Sequence, residues 1–480
     1  MRALGLTLIA MSAFASAACT KTNTNYCSEA GAKLDFSCAA LRDATIANDA
    51  NAGDTVDAGD GTDAADAGDA TDTAREVASE VKPPACVTDD QCAAGADAGT
   101  PACGTSDGGA ACVQCTDSKK HCTDPKRPVC DTAAQKCVEC IGSGTECTAD
   151  ATKSVCNKAT QSCVECLDNT KCSGTTPICD PAKNTCRACT ADAECKGIGP
   201  AICVDYDGHC ATAGEVVTLA GGATCMATGT LFCKASDAVA SLSLMHPILL
   251  VKGPDAVGAI DPPMGTAPML LIVGQGAALV GAGSGDTAGI HLAGASKFWV
   301  RDLKISGGTV GVAAEQSAEL HLTRCVVTQN GKGGIKTIDS SFDITNTIVA
   351  ANGGGTDVGG VAWGGVRLGD VPQSGMSKFV NNTVVDNMSI GLSCKDPYDA
   401  STNIVHGNLG GETINCTGAA CCGAGDPDPK LDASYHLMSG SPCIDQIDAT
   451  TMSLTIDIQG QPRPVPPNGR LDCGADEFVP

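Results

Sequence analysis

Between Cys86 and Cys210 the chain carries twenty cysteines in five consecutive sets of four. The first set is Cys86, Cys92, Cys103 and Cys112. The other four share one rhythm: Cys115, Cys122, Cys130 and Cys137; Cys140, Cys147, Cys156 and Cys163; Cys166, Cys172, Cys179 and Cys186; Cys189, Cys195, Cys203 and Cys210. A reducing cytosol would keep such thiols free. An even count at repeated spacing therefore predicts disulfides made in an oxidising compartment, and so an exported protein. At about 25 residues a set cannot bury a core of its own, and two disulfides per unit take that role. Zinc is the competing reading of the Cys-x-x-Cys junctions such as Cys137 with Cys140. The wider spacing elsewhere in each set, the acidic turns and the scarcity of histidine favour disulfides.

The amino terminus agrees with export. Arg2, the apolar run Leu4 to Phe14 and the small residues Ala15-Ser16-Ala17 predict a signal peptide over 1–18. Ser16-Ala17-Ala18-Cys19 resembles a bacterial lipobox, which implies a lipid on Cys19; ordinary cleavage before a structural Cys19 is the alternative. No other segment is a transmembrane candidate, so membrane contact is expected only through that lipid, at the outer membrane or cell surface, with simple secretion as the alternative.

A short head, 19–42, contains Cys27 and Cys38, expected to pair. Residues 43–84 are almost wholly Asp, Ala, Gly and Thr, with Asp54, Asp57, Asp60, Asp63, Asp66, Asp69 and Asp72 at every third place. So little apolar surface and so much like charge predict a disordered acidic linker. A calcium-binding repeat would need more ligands at each step than one carboxylate. The cysteine modules occupy 85–212. Phrases such as CVECIGSGTEC and CRACTADAEC resemble the Dickkopf amino-terminal type of module, which implies a stiff, protease-resistant stalk or a binding surface; the stretched middle of the first set departs from that pattern.

Beyond Cys210 the residue usage changes to β-branched residues, glycine and asparagine. VRDLKISGG from Val300, LTRCVVTQNG from Leu322 and ITNTIVAANG from Ile344 repeat every 22 residues, and VNNTVVDN from Val380 and STNIVHGN from Ser401 continue the series after an insertion at Gly353 to Trp363. A second column runs through Gly289-Ile290, Gly311-Val312, Gly334-Ile335, Gly365-Val366 and Gly391-Leu392. Two short strands per period predict a solenoid in which like positions stack. Alternation places Leu303, Cys325, Thr347 and Thr383 inside, with Ile305, Val327, Val349, Val385 and Val405 two residues on, and an asparagine stack at Asn330, Asn352 and Asn408. The pattern resembles the right-handed parallel β-helix of the pectin-lyase-like superfamily, over 213–425. DPDPKLDASYHLMSGSPCID, DIQGQPRP and RLDCGADEF, within 426–480, resemble the carboxy-terminal signature of the bacterial choice-of-anchor Q family, which implies a cap on the β-helix and a surface location. Asp445, Asp457, Arg463 and Asp476 are expected to fix buried turns of that cap. The fold class is thus mainly β: a right-handed parallel β-helix preceded by a disulfide-rich stalk of little regular structure and a disordered acidic linker.

Cysteine arithmetic leaves Cys325 as a free buried thiol. Cys225 with Cys233, and six cysteines between Cys394 and Cys473, make even groups, and Cys443 is expected to bridge Cys473. The net charge of −24 lacks the footprint for nucleic acid. The reading is an exported surface structural or adhesin-like binding protein, a monomer without cofactor, whose partner is a polysaccharide or another cell-surface ligand. The alternative is an exported polysaccharide lyase or glycoside hydrolase acting on an acidic glycan, to which calcium would belong. Its lyase form would need clustered carboxylates beside a basic residue; Asp302 beside Arg324 reads as an ion pair, and no catalytic residues are identified. An outward stripe of His291, Ala313, Lys336, Arg367 and Ser393 is expected to meet an anionic glycan, with Trp363 from the insertion stacking on a sugar.

Overall fold

The computed structural model describes residues 86–480 apart from 94–101, 107–108, 143–144, 148–149, 223–224, 254–255, 282–287, 358, 372–376, 419, 424, 449–453 and 467–468. The signal segment, Cys19, Cys27, Cys38 and the acidic linker lie outside the described residues.

Every module closes by one rule, first cysteine to third and second to fourth: Cys86–Cys103 with Cys92–Cys112, Cys115–Cys130 with Cys122–Cys137, Cys140–Cys156 with Cys147–Cys163, Cys166–Cys179 with Cys172–Cys186, and Cys189–Cys203 with Cys195–Cys210. The stretched first set obeys it too. The third and fourth cysteines face each other across an antiparallel hairpin, as in Cys130 opposite Cys137 and Cys156 opposite Cys163. Directly opposed side chains leave a hairpin on the same side, so both bridges drop from one face onto the preceding loop. The hairpin tips follow from sequence: Asp131 accepts from the Ala133 and Ala134 N–H groups, and Gln135 turns the chain with φ 53°. Gln161 and Asn184 take the same left-handed conformation in the next two modules.

From Val216 to Ile414 the chain is a right-handed parallel β-helix. It has three strands per coil where the sequence pattern suggested two. The first face stacks Val216–Ala220, Ile248–Lys252, the first half of Met269–Val280, the first half of Lys297–Ser306, Glu319–Thr323, Ser341–Thr345 and Ser377–Val380. The second carries Val326–Thr328, Ile348–Ala350, Thr383–Val385 and Ile404–His406. The third carries Ile290–Ala293, Val310–Glu315, Gly333–Thr337, Val366–Leu368, Leu392–Cys394 and Thr413–Ile414. The first two faces read as one strand in sequence because at most two residues separate them. Asp302, Arg324, Asn346 and Asn381 occupy that corner with φ between 47° and 57°. One left-handed residue bends the ribbon without a loop to signal it.

Inside, Val300, Leu322, Ile344 and Phe379 stack from the first face, Ile305, Val327, Val349, Val384 and Val405 from the second, and Ile290, Val312, Ile335, Val366 and Leu392 from the third. The asparagine stack is a hydrogen-bonded ladder. Asn330 Nδ2 donates to Asn352 Oδ1 (2.9 Å), Asn352 to Asn387 (2.9 Å) and Asn387 to Asn408 (2.8 Å), at sequence separations of 22, 35 and 21. Gly308 N–H caps one end and Glu412 Oε2 the other.

Asn387, absent from the expected ladder, exposes a register error. Val380 pairs with Thr345, so Asn382 takes the rung of Thr347, while Thr383 pairs with Ile348 and Val385 with Ala350. Thr383 and Val385 therefore point out and Val384 in, the reverse of the expected phase. The insertion lengthens that coil to an odd increment, and a slip of one residue exchanges the two sides of a strand.

What lies on the outer sides follows the same columns. On the first face Val216, Ile248, Leu271 and Trp299 point out under the fifth cysteine module, whose Ile202, Val204 and Ala211 pack on them. Past that cover the column turns polar, to His321, Asp343 and Lys378. The fifth module is thus part of the solenoid body. Arg301 fixes it there: its side chain is 4% exposed and bonds Asp192 Oδ1 (2.7 Å) and Oδ2 (2.9 Å), Asp205 Oδ2 (2.7 Å), Asp302 Oδ2 (2.6 Å) and the Cys203 carbonyl (3.0 Å). Arg324 closes the cluster as a bidentate partner of Asp302.

On the second face the outward column runs from exposed Lys304 to Val326, Ile348, Thr383 and Ile404. Where it becomes apolar the carboxy-terminal region covers it with Leu437, Ile447, Leu471 and Ala475. The cap therefore lies along the side of the helix. Cys422 bonds Cys443 and Cys421 bonds Cys473, which corrects the expected Cys443–Cys473 bridge. The two cap segments are neighbours, with Cys473 N–H donating to the Cys443 carbonyl at 3.0 Å, but each thiol turns to the coil beneath. Cys394 bonds Cys416 on the next coil and Cys225 bonds Cys233. Cys325 is a free buried thiol.

Arg463, fully buried, organises the cap: Nε meets Glu477 Oε2 (3.0 Å), one terminal nitrogen meets Asn346 Oδ1 (2.8 Å), and the other the Asp472, Gly474 and Asp476 carbonyls. Asp457 accepts from the N–H groups of Gln459, Gln461 and Glu477, and Asp476 from that of Leu437. Asp445 contributes its N–H, to Asp472, rather than its carboxylate. Burial pushes Asp472 and Asp476 each up to about 6, and raises Asp457.

Candidate functional site

The third face carries the expected column in the expected register: His291 opposite Ala313, then Lys336, Arg367 and Ser393. It is not the open basic stripe the sequence suggested. Arg367 is 6% exposed and Ser393 fully buried. Arg367 Nε donates to Asp357 Oδ2 at 2.9 Å, and a terminal nitrogen reaches Ser393 Oγ and the Leu368 carbonyl at 3.4 Å. Asp357 belongs to the insertion, which folds back as a hairpin pairing Gly355–Thr356 with Ala362–Trp363. Burial opposes the charge on Asp357, but the Val361 N–H and the Arg367 guanidinium outweigh it and hold the carboxyl below its ordinary range. The ion pair thus latches the insertion over the column.

Trp363 completes the latch. It is 3% exposed, and its indole lies so close to Gly333 that a Cβ there would stand 2.1 Å from the ring. Neither Arg367 nor Trp363 faces a ligand from solvent, so both leave the set of glycan contacts. A sequence cannot show that an insertion will fold onto its own coil instead of framing a groove.

The other end of the column is open. Ala313 is small, and the dent above it is a cavity of about 240 Å³ lined by Ala259, Asp261, Ala288, His291, Val310, Ala313, Glu315 and Lys336. Ile260 bridges to Ile290, which sets Asp261 beside His291. His291 Nδ1 lies 2.9 Å from Asp261 Oδ1 and its Nε2 3.9 Å from Glu315 Oε2, while Lys336 Nζ lies 3.4 Å from Glu315 Oε1. Asp261, His291, Glu315 and Lys336 thus form one polar row, in which Lys336 is already partnered by a carboxylate. Asp261 and Glu315 were not singled out in the sequence. Glu315 stands two residues after Ala313 in one strand and so points the same way, a signal that was available. Asp261 reaches the site by an isolated bridge outside the repeat, which carries no pattern.

Four carboxylates in the proline-containing loops that follow the last complete coils act locally. Asp396 accepts from the Tyr398 hydroxyl, Asp399 from the Ser401 N–H, Asp426 from the Gly423 N–H and Asp428 from the Lys430 N–H. Beside the latch, a pocket of about 290 Å³ is lined in part by Asp357, Arg367, Asp370, Lys395 and Asn415, with Lys395 paired to Asp370.

A family model described as a right handed beta helix region matches residues 284–419. No curated protein matches the chain, and no solved structure does.

Proposed function

We propose that the protein is exported, anchored at the outer surface of a bacterial envelope through a lipid on Cys19, and works there as a monomeric, adhesin-like binding protein for polysaccharide or another surface ligand. The observation that carries the reading is the junction at Arg301: the last of five disulfide-locked modules is fixed to the solenoid by buried charge-assisted bonds. A stalk that ends in such a joint holds the β-helix at a defined distance and orientation, which suits presentation. The open part of the third face, with His291 and Lys336, is the proposed contact surface. The tandem modules fit the Dickkopf-like type and the side-lying cap the choice-of-anchor Q type.

The second reading, a polysaccharide lyase or glycoside hydrolase, rests on the same cavity, where Asp261 and Glu315 flank one imidazole. The test pairs protease shaving of intact cells and glycan-array binding with assays for reducing ends and unsaturated products. Surface exposure with glycan retention and no product supports the binding protein. Product formation lost in Glu315→Gln supports the enzyme, a chain unexposed on cells refutes the anchored binding protein, and an intracellular chain refutes both.

A further inference from the structure

We infer that the cavity between His291 and Glu315 is an open binding site for a borderline divalent transition-metal cation such as Zn²⁺ or Cu²⁺, with His291 Nε2 and Glu315 Oε2 as its protein ligands. Asp261 Oδ1 stands 2.9 Å from Nδ1, so the neutral ring keeps its proton there and turns the lone pair of Nε2 into the cavity. The charged atom facing that lone pair is Glu315 Oε2, 3.9 Å away, itself an acceptor and beyond hydrogen-bond reach. Two acceptors held face to face call for a cation between them. Imidazole nitrogen and carboxylate oxygen bind Zn²⁺ at about 2.0–2.2 Å, so an approach of roughly 0.5 Å gives a tetrahedral angle at the metal.

The surroundings fit. Asp261 behind the ring orients it, the arrangement that recurs behind metal-bound histidines. Lys336, 3.4 Å from Glu315 Oε1, holds the carboxylate with its other oxygen turned to His291. Ala259, Ala288, Val310 and Ala313 contribute no competing ligand, and the volume of about 240 Å³ leaves the remaining coordination positions to water or an incoming group. A mixed nitrogen and oxygen pair selects a borderline ion; Ca²⁺ and Mg²⁺ require more oxygen ligands than the site offers. Imidazole and carboxylate ligands must be free of protons to bind a cation, so uptake is expected to be weaker at pH 5.5 than at 7.5.

The test is isothermal titration of Zn²⁺ into the untagged, disulfide-intact mature chain at pH 7.5 and 5.5, with Cu²⁺ electron paramagnetic resonance as a second readout. Comparison among variants separates the cavity from the Asp-rich linker. Wild type should bind one equivalent that His291→Ala and Glu315→Gln both remove, and Asp261→Asn should weaken it about tenfold or more. The Cu²⁺ spectrum should show coupling to one nitrogen that disappears in His291→Ala, while thermal unfolding without metal stays unchanged. Should His291→Ala not fold, Glu315→Gln decides. No uptake at pH 7.5, or the same uptake in wild type and Glu315→Gln, overturns the site.

Discussion

Replacing Arg301 by Met keeps most of its length and removes the charge on which the fifth module docks. Three carboxylates, those of Asp192, Asp205 and Asp302, then share a junction from which their common cation has gone; Arg324 still answers Asp302. Removing one partner of a fully buried ion pair costs about 3–5 kcal/mol; here the carboxylates of Asp192, Asp205 and Asp302 are 33%, 29% and 28% exposed, so solvent offsets part of that loss. Five hydrogen bonds end on this guanidinium. They act as one unit and do not add, so the expected cost of undocking is about 3 kcal/mol, roughly a hundredfold in the docking equilibrium. The module keeps its own two disulfides and stays folded when it leaves. The reporter is Trp299, which packs against Tyr206 of the module with ring centres 5.3 Å apart. In a Trp363→Phe background its emission should shift to the red in Arg301→Met at urea concentrations where the parent is unchanged. Adding Asp192→Asn and Asp205→Asn should recover much of the loss. A loss below about 1 kcal/mol, or no recovery, would refute the view that buried charge holds the joint.

Other outcomes follow from the interior. Asp472 and Asp476, raised to about 6 by burial, favour the folded cap when protonated, so cap stability is fullest below about pH 4 and falls as the pH rises through 6. Hydrogen exchange of residues 437–478 should be slower at pH 5 than at 7.5, after correction for intrinsic rates, by about 1–2 kcal/mol, and Asp476→Asn should reduce that difference. Asn352→Ala breaks the ladder at its middle and strands the Val327 carbonyl and the Asn330 N–H; a loss of about 3 kcal/mol is expected in urea unfolding. Cys325, pushed up to about 12 by burial, should be alkylated only after unfolding, as mapped by mass spectrometry. In a Trp299→Phe background, Gly333→Ala should displace Trp363 and increase its quenching by acrylamide without altering the secondary structure.

The β-helix was legible because its period repeats in side-chain type as well as in spacing: the inward valines and the asparagines recur where the backbone recurs. The corners were not, since an Asp, an Arg and an Asn share one left-handed conformation without sharing a chemistry. The register beyond the insertion failed at Val380 because continuous runs such as Ile348-Val349-Ala350 are apolar on both sides and give no phase. That lack of phase was itself a sign that something covers the outer side, as the cap does. Of the stripe, His291 and Lys336 stayed open while Arg367 and Trp363 were claimed by the insertion, a contact between segments that no local pattern encodes.

The alternating bridges of the modules also fix how the stalk answers a pull. In the second module tension entering at Cys115 reaches Cys137 by two parallel paths, across the disulfide to Cys130 and on to Cys137, or along the chain to Cys122 and across its disulfide to Cys137, so the residues from 123 to 129 carry little of it. The free contour is seven residues, and at 3.3–3.6 Å per residue that is about 25 Å where the unbridged segment would release roughly 75 Å. Two residues then separate Cys137 from the first cysteine of the next link. Built this way, the row of modules acts as a tether of nearly fixed length, even when the modules lose their hairpins.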